Sequence, residues 1–148
     1  MYSRDHLLVS LAVGAALAWA LASPDDLLVV GLSAAVGVGI DVDHFLVARL
    51  HAGTWRAARE FARRPWTVFT APDEIFEPGE LWPLQRLLSH VVLGGVLVLA
   101  LAAVRPTLAL VAAVSLYAHL LADLVEDNRN HRSYLETAAA HADETGPE

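Results

Sequence analysis

The sequence predicts an all-α membrane protein in which four transmembrane helices form one bundle. Of its 148 residues, 55% are hydrophobic, whereas apolar residues make up about 45–50% of soluble domains, counted with glycine in place of tyrosine. The excess lies in four blocks, at about residues 5–22, 27–47, 86–104 and 107–125. Each block has the length of about 17–25 residues that a helix needs to cross a bilayer. The sequence therefore predicts one membrane domain over residues 1–127 and a polar C-terminal tail over residues 128–148.

The first helix begins beside His6 and carries a stripe of small residues along which a second helix can approach closely. The stripe consists of Ser10, Gly14, Ala18 and Ala22. The alternative is a cleaved signal peptide, because Ala20-Leu21-Ala22 resembles a cleavage site. Asp5 at its start and the three further apolar blocks favour a helix that is retained.

The second helix carries no charge from Leu27 to Ile40 and then ends in a polar cluster. Asp41, Asp43 and His44 lie in its last turns, before about Val47. Burying a charge without a partner is costly, so two carboxylates and an imidazole at this position indicate a function. A second stripe of small residues lies on this helix, at Gly31, Ala35 and Gly39.

Residues 48–85 form the predicted cytoplasmic loop, which contains a short amphipathic helix at Thr54–Arg64. The apolar face of this helix consists of Trp55, Ala58, Phe61 and Ala62. It suits a membrane interface or packing on the bundle equally well. The proline-rich stretch from Arg64 to Pro83 is predicted to be a loop, anchored by its aromatic residues Trp66, Phe69, Phe76 and Trp82.

The third and fourth helices add histidines and a carboxylate. Arg86 and His90 lie one turn apart near the start of the third helix, and His119 and Asp123 lie one turn apart near the end of the fourth. The other histidines are predicted to be solvated surface residues, at His51, His131 and His141.

The number of crossings brings these polar residues to one face of the membrane. The starts of the first and third helices and the ends of the second and fourth helices lie at that face. His6, at the start of the first helix, lies there too. Nine of the ten basic residues, all arginines, lie on the same side. The positive-inside rule makes that side cytoplasmic. We therefore expect a multi-pass protein of the cell (plasma) membrane with both termini in the cytoplasm.

The residue types in this cluster are typical of a metal site. Cysteine is absent, so imidazole and carboxylate must provide the ligands for a divalent zinc, manganese or iron ion. The candidate ligands are His6, Asp41, Asp43, His90, His119 and Asp123. His44 either ligates or supports a ligand, and a carboxylate that is not bound to metal, such as Asp43, could act as general base.

Arg86 is the third candidate catalytic residue, beside Asp43 and His44. It is a permanent cation one turn before His90, and we expect it to bind an anionic group of the substrate. The alternative is a structural salt bridge to Asp41, Asp43 or Glu80.

At these residues the chain resembles the YdjM-like inner-membrane proteins, a family described as metal-dependent hydrolases. The family's N-terminal histidine corresponds to His6, and its Pro-Asp-x-Asp-His signature corresponds to Ile40-Asp41-Val42-Asp43-His44 without the proline. Its His-Arg-Gly-x-Thr-His-Ser motif corresponds to Gln85-Arg86-Leu87-Leu88-Ser89-His90-Val91. Its late His-x-x-x-Asp corresponds to His119 and Asp123. Gln85 stands where the family has a histidine, which puts activity in doubt if that histidine is a ligand or an acid.

The resemblance and the cluster together predict a metal-dependent hydrolase at the cytoplasmic membrane face, acting on a phosphoester or lipid-like substrate. One alternative is a transporter or proton relay that uses the same residues. The other is a non-catalytic membrane module. The expected partners are membrane lipid and a small-molecule or lipid substrate. The net charge of −7 argues against nucleic acid.

Overall fold

The computed structural model describes residues 3–22, 25–71, 74–77, 80–133 and 135–136, and these are helical with no β-strand among them. This confirms the all-α prediction. The elements are α1 (Ser3–Leu21), α2 (Asp26–Gly39), a 3₁₀ turn (Ile40–Val42), α3 (Asp43–Ala52), α4 (Arg56–Arg63), α5 (Thr67–Thr70), α6 (Pro83–Val104) and α7 (Pro106–Arg129).

Four helical segments are long and apolar enough to cross a membrane, as the four blocks predicted. α2, the 3₁₀ turn and α3 form one such segment, which runs to Ala52 and thus five residues past the predicted end at Val47. Gly53 ends it with a φ of 68°, a left-handed conformation that glycine adopts without strain. α6 begins three residues earlier than predicted, because Pro83 occupies the first turn, where its missing N–H costs nothing.

The predicted stripe on α1 is where α2 packs. Ser10, Gly14 and Ala18 are buried. A Cβ added to Gly37 of α2 would overlap Ser10 Oγ, so glycine is needed at this crossing. The stripe on α2 faces the other way, since a Cβ at Gly31 would meet nothing within 4 Å.

Two layers of different polarity fill the bundle between its two ends. Nearer the polar cluster, Ser115 donates a hydrogen bond to Ser33 Oγ at 2.8 Å, and Ser33 donates to the carbonyl of Ser10 at 2.7 Å. Beyond these hydroxyls lies an apolar layer of Val29, Val111 and Ala18. The polar interior therefore stops short of the far end of the bundle.

The segment after α3 folds back onto the bundle. Ile75 is fully buried against Ala48 of α3 and Ala57 of α4. Arg56 stabilises this arrangement by donating to the Ile75 carbonyl at 3.0 Å and to Glu80 at 2.6 Å. The buried face of α4 thus passes through Ala57, and the structure shows the packing alternative for that face. Ala62 and Trp55, which the sequence assigned to the apolar face, are exposed.

Candidate metal centre

The six predicted ligands and His44 converge at one end of the bundle. His6 comes from α1, Asp41 from the 3₁₀ turn, Asp43 and His44 from α3, His90 from α6, and His119 and Asp123 from α7. The 3₁₀ turn contributes to this convergence, because three residues per turn align positions i and i+3. His44 Nε2 accordingly lies 3.6 Å from Asp41 Oδ1.

Two carboxylate oxygens lie at the spacing of metal ligands from two imidazole nitrogens. Asp41 Oδ1 lies 3.4 Å from the Nε2 atoms of both His90 and His119. Asp123 Oδ2 lies 3.4 Å from His119 Nε2 and 3.7 Å from His90 Nε2. Ligand bonds of about 2.0–2.2 Å in a tetrahedral site separate the ligand atoms by about 3.3–3.6 Å. We conclude that groups of three of these residues and their neighbours, such as His90, His119 and Asp123, could hold a metal ion.

The other ring nitrogens of the two histidines point away from this group and are hydrogen-bonded. His90 Nδ1 donates to Asp43 Oδ2 at 2.7 Å, and His119 Nδ1 donates to the Gly37 carbonyl at 2.8 Å. Each Nε2 is thereby left with its lone pair directed at the centre. Histidines that bind metals show this arrangement.

The central atoms do not form a hydrogen-bonded network of their own. Within the described part of the chain, His90 Nε2, His119 Nε2 and Asp41 Oδ1 are buried and have no hydrogen-bond partner. Both histidines are only 1% exposed. Leaving such atoms unsatisfied is costly, and a bound cation would remove that cost. The donor set of two imidazoles and two carboxylates suits zinc, manganese or iron.

His6 and His44 flank this group on opposite sides. His6 Nε2 lies 3.1 Å from Asp123 Oδ1, and its ring stacks on His119 with centroids 4.0 Å apart. The His44 ring stacks on His90 at 5.0 Å. Ligand atoms within 4.8 Å of one another make up three overlapping groups: His6, Asp41 and His119; Asp41, His44 and His90; and His90, His119 and Asp123.

Two candidate residues have contacts that the sequence did not reveal. Asp43 lies behind His90, outside the three ligand groups, and orients that ring. Arg86 Nη2 contacts Asp127 Oδ1 at 2.7 Å, and its Nε lies 3.6 Å from Asp123 Oδ2. These two contacts are with Asp123 and Asp127, which the sequence did not suggest as partners of Arg86.

Asp127 and the Gly37 carbonyl are site components that sequence reasoning missed. Asp127 fell beyond the predicted end of the fourth helix at residue 125, whereas α7 continues to Arg129. Its spacing of four residues from Asp123 was the available signal. The pattern of side chains in a sequence does not indicate which backbone carbonyl, such as that of Gly37, will accept a hydrogen bond.

Two other histidines, His51 and His131, are exposed and belong to none of the three ligand groups. His131 is exposed, as predicted. His51 is exposed but accepts a hydrogen bond from Gln85 Nε2 at 2.8 Å. His141 lies outside the described residues.

Comparison with protein-family models, curated proteins and solved structures gave no match for this chain. The resemblance to YdjM-like proteins stays a prediction.

Proposed function

We propose that the chain is a multi-pass membrane protein that hydrolyses a phosphoester or lipid-like substrate at a metal centre. The observation that carries this proposal is the set of overlapping ligand groups, in which His90 Nε2, His119 Nε2 and Asp41 Oδ1 are buried without hydrogen bonds among the described residues. A soluble protein of this size rarely exposes large apolar patches. Here large apolar side chains are exposed along all four long helices, for example Leu8, Leu27, Leu99 and Leu121.

The catalytic roles follow from the contacts of each side chain. A divalent ion held by three side chains, such as His90, His119 and Asp123, would keep a position for a water and would lower the pKa of that water to about 7. In the proposed hydrolysis, the oxygen of this water would bond to the substrate phosphorus as the P–O ester bond breaks. His44 transfers the released proton to the leaving alkoxide. Its Nε2 has no hydrogen-bond partner within the described residues, which suits this task.

The apolar layer at the far end of the bundle counts against transport. A transporter or proton relay requires polar groups that continue across the membrane. The hydroxyls of Ser115 and Ser33, which end at the Ser10 carbonyl, are instead followed by Val29 and Val111, both almost completely buried.

Replacing His44 tests the hydrolytic function. In His44→Gln, we expect bound metal to remain and kcat/KM for a phosphoester substrate to fall by about 10²–10⁴-fold, the usual contribution of a general acid–base. His131→Gln, on an exposed residue, serves as the control and should keep full activity. Absence of hydrolysis by the wild-type protein, across phosphoesters and lipids with zinc, manganese and iron, would support the non-catalytic alternative instead.

The proposed topology places the metal centre at the cytoplasmic face of the membrane, with the loop and both termini on the same side. Because the chain has no cysteine, single cysteines can report it. Cysteines at the exposed positions Ala62 and Asn128 should resist an impermeant thiol reagent in intact cells, whereas one at Asp25 should react. A cysteine at Ala57 would not report the topology, because the protein buries this position whichever side of the membrane the loop occupies. The reverse labelling pattern would overturn the orientation.

A further inference from the structure

A cavity of about 290 Å³ lies beside the metal centre. One wall is formed by the end of α2, the 3₁₀ turn and α3, and the other by α4, α5 and the residues that join them. The side chains that line it are almost all apolar, and they include Val38, Val42, Phe45, Phe61, Val68 and Phe69. Such a lining offers little to a polar ligand, so the cavity suits a hydrocarbon group.

The polar end of the cavity is Asp41. Asp41 is the charged residue that lines the cavity, and its Oδ1 lies 3.4 Å from His90 Nε2 and His119 Nε2. A molecule that fills the cavity therefore lies one residue away from the metal centre. A ligand that fits both environments has a hydrocarbon chain attached to a polar group.

The mouth of the cavity joins the apolar outer surface of the bundle. Val42 lines the cavity and is 64% exposed, and Trp66 on the opposite wall is 77% exposed. In the proposed topology this surface faces the bilayer, so the hydrocarbon next to the mouth is a lipid acyl chain. The volume is at the lower end of the range of about 300–1,000 Å³ for ligand pockets, which fits one chain and not two.

We propose that this cavity binds one acyl chain of a membrane lipid and thereby brings the polar end of that lipid to the metal centre. The inference rests on the proposed function and names its substrate class, a lipid whose polar group carries the hydrolysable bond. Asp41 is then shared between the metal centre and the inner end of the chain-binding site.

Two glycines of α2 provide a matched pair of variants. Gly39 lines the cavity, and a Cβ at this position meets nothing within 4 Å, so leucine would project into open space there. Gly31 lies two turns earlier on the same helix and is equally open, but it does not line the cavity. Gly39→Leu should therefore block the chain, whereas Gly31→Leu should not.

The probe is a phosphatidylcholine with a photoreactive diazirine at the end of one acyl chain, in phosphatidylcholine vesicles that contain the protein and EDTA. In the wild-type protein, we expect cross-links concentrated between Phe61 and Phe69. Gly39→Leu should reduce them by about tenfold, the size of an ordinary overpacking penalty. Val68→Trp, which fills the cavity from the other wall, should show the same loss, and Gly31→Leu should match the wild type.

Cross-links spread evenly over the outer surfaces of α1 and α6, or unchanged in Gly39→Leu and Val68→Trp, would overturn the acyl-chain site. Because the measurement is made without metal, it separates this site from the proposed function. If the cross-links are concentrated but the protein hydrolyses no substrate, the acyl-chain site is supported and the proposed hydrolytic function is wrong. If the protein hydrolyses a soluble short-chain phosphoester but the cross-links are evenly spread, the hydrolytic function is supported and the acyl-chain site is wrong.

Discussion

Asp123→Ala is expected to remove bound metal and hydrolytic activity together. Asp123 lies within 3.7 Å of His6, His90 and His119, and it also contacts Arg86, so its carboxylate contacts three histidines of the centre. Changing a group that only orients a ligand weakens metal binding by about 10–100-fold, and losing a ligand should exceed about 100-fold. Metal analysis of detergent-purified protein, with a titration of zinc, manganese and iron, measures the effect.

Asp5→Ala provides the matched control for this experiment. Asp5 is an acidic residue at the same end of the bundle, but it is partly exposed and pairs with Arg4. Its removal should leave metal content and activity unchanged. If Asp123→Ala kept the metal content of the wild type, the shared centre would be wrong, and the cluster would have to be a structural network.

The meeting of His6, Asp41, His90 and Asp123 could be predicted because it depends on helix count alone. Each apolar block reverses the chain once, so the end of the second and fourth helices and the start of the first and third must adjoin. The structure confirms that these helix ends adjoin, because His6 and His90 lie at metal-ligand distances from Asp123, and His90 lies at such a distance from Asp41 too. No detail of packing was needed for that step.

The division of roles between Asp41 and Asp43 could not be predicted. The two residues are only two positions apart, and a local 3₁₀ turn decides which carboxylate faces the centre. Asp41 lies among the histidine Nε2 atoms, whereas Asp43 holds the far side of the His90 ring. The same limit applies to His119, whose partner is the backbone carbonyl of Gly37.

The segment from Arg64 to Pro83 was also beyond sequence reasoning, because its prolines leave no periodicity to read. The burial of Ile75 depends on Arg56, which pairs with Glu80 across 24 positions of the chain. Long-range pairs of this kind are not visible in a local pattern. The acyl-chain cavity, formed partly by this segment, was therefore not anticipated.

Arg86→Ala is expected to weaken metal binding by about 10–100-fold, as changes to groups that orient ligands usually do. The guanidinium lies beside Asp123 and Asp127 and is largely buried, with side-chain exposure of 12%. Removing it takes away the cation that both carboxylates contact. Breaking a buried ion pair in this way costs about 3–5 kcal/mol, so thermal unfolding should also occur at lower temperature.

Three variants decide between this orienting role and the substrate role predicted from the sequence. Arg129→Ala, on an exposed arginine at the end of α7, should change neither metal affinity nor stability. Adding Asp127→Ala to Arg86→Ala should restore part of the stability, because one of the two carboxylates is gone, without restoring metal affinity. Arg86→Lys should be intermediate in metal affinity, since a lysine keeps the charge but cannot contact two carboxylates with a rigid planar group. If Arg86→Ala instead kept full metal affinity and raised KM for an anionic substrate, the arginine would bind substrate, and its contacts with Asp123 and Asp127 would be incidental to the metal centre.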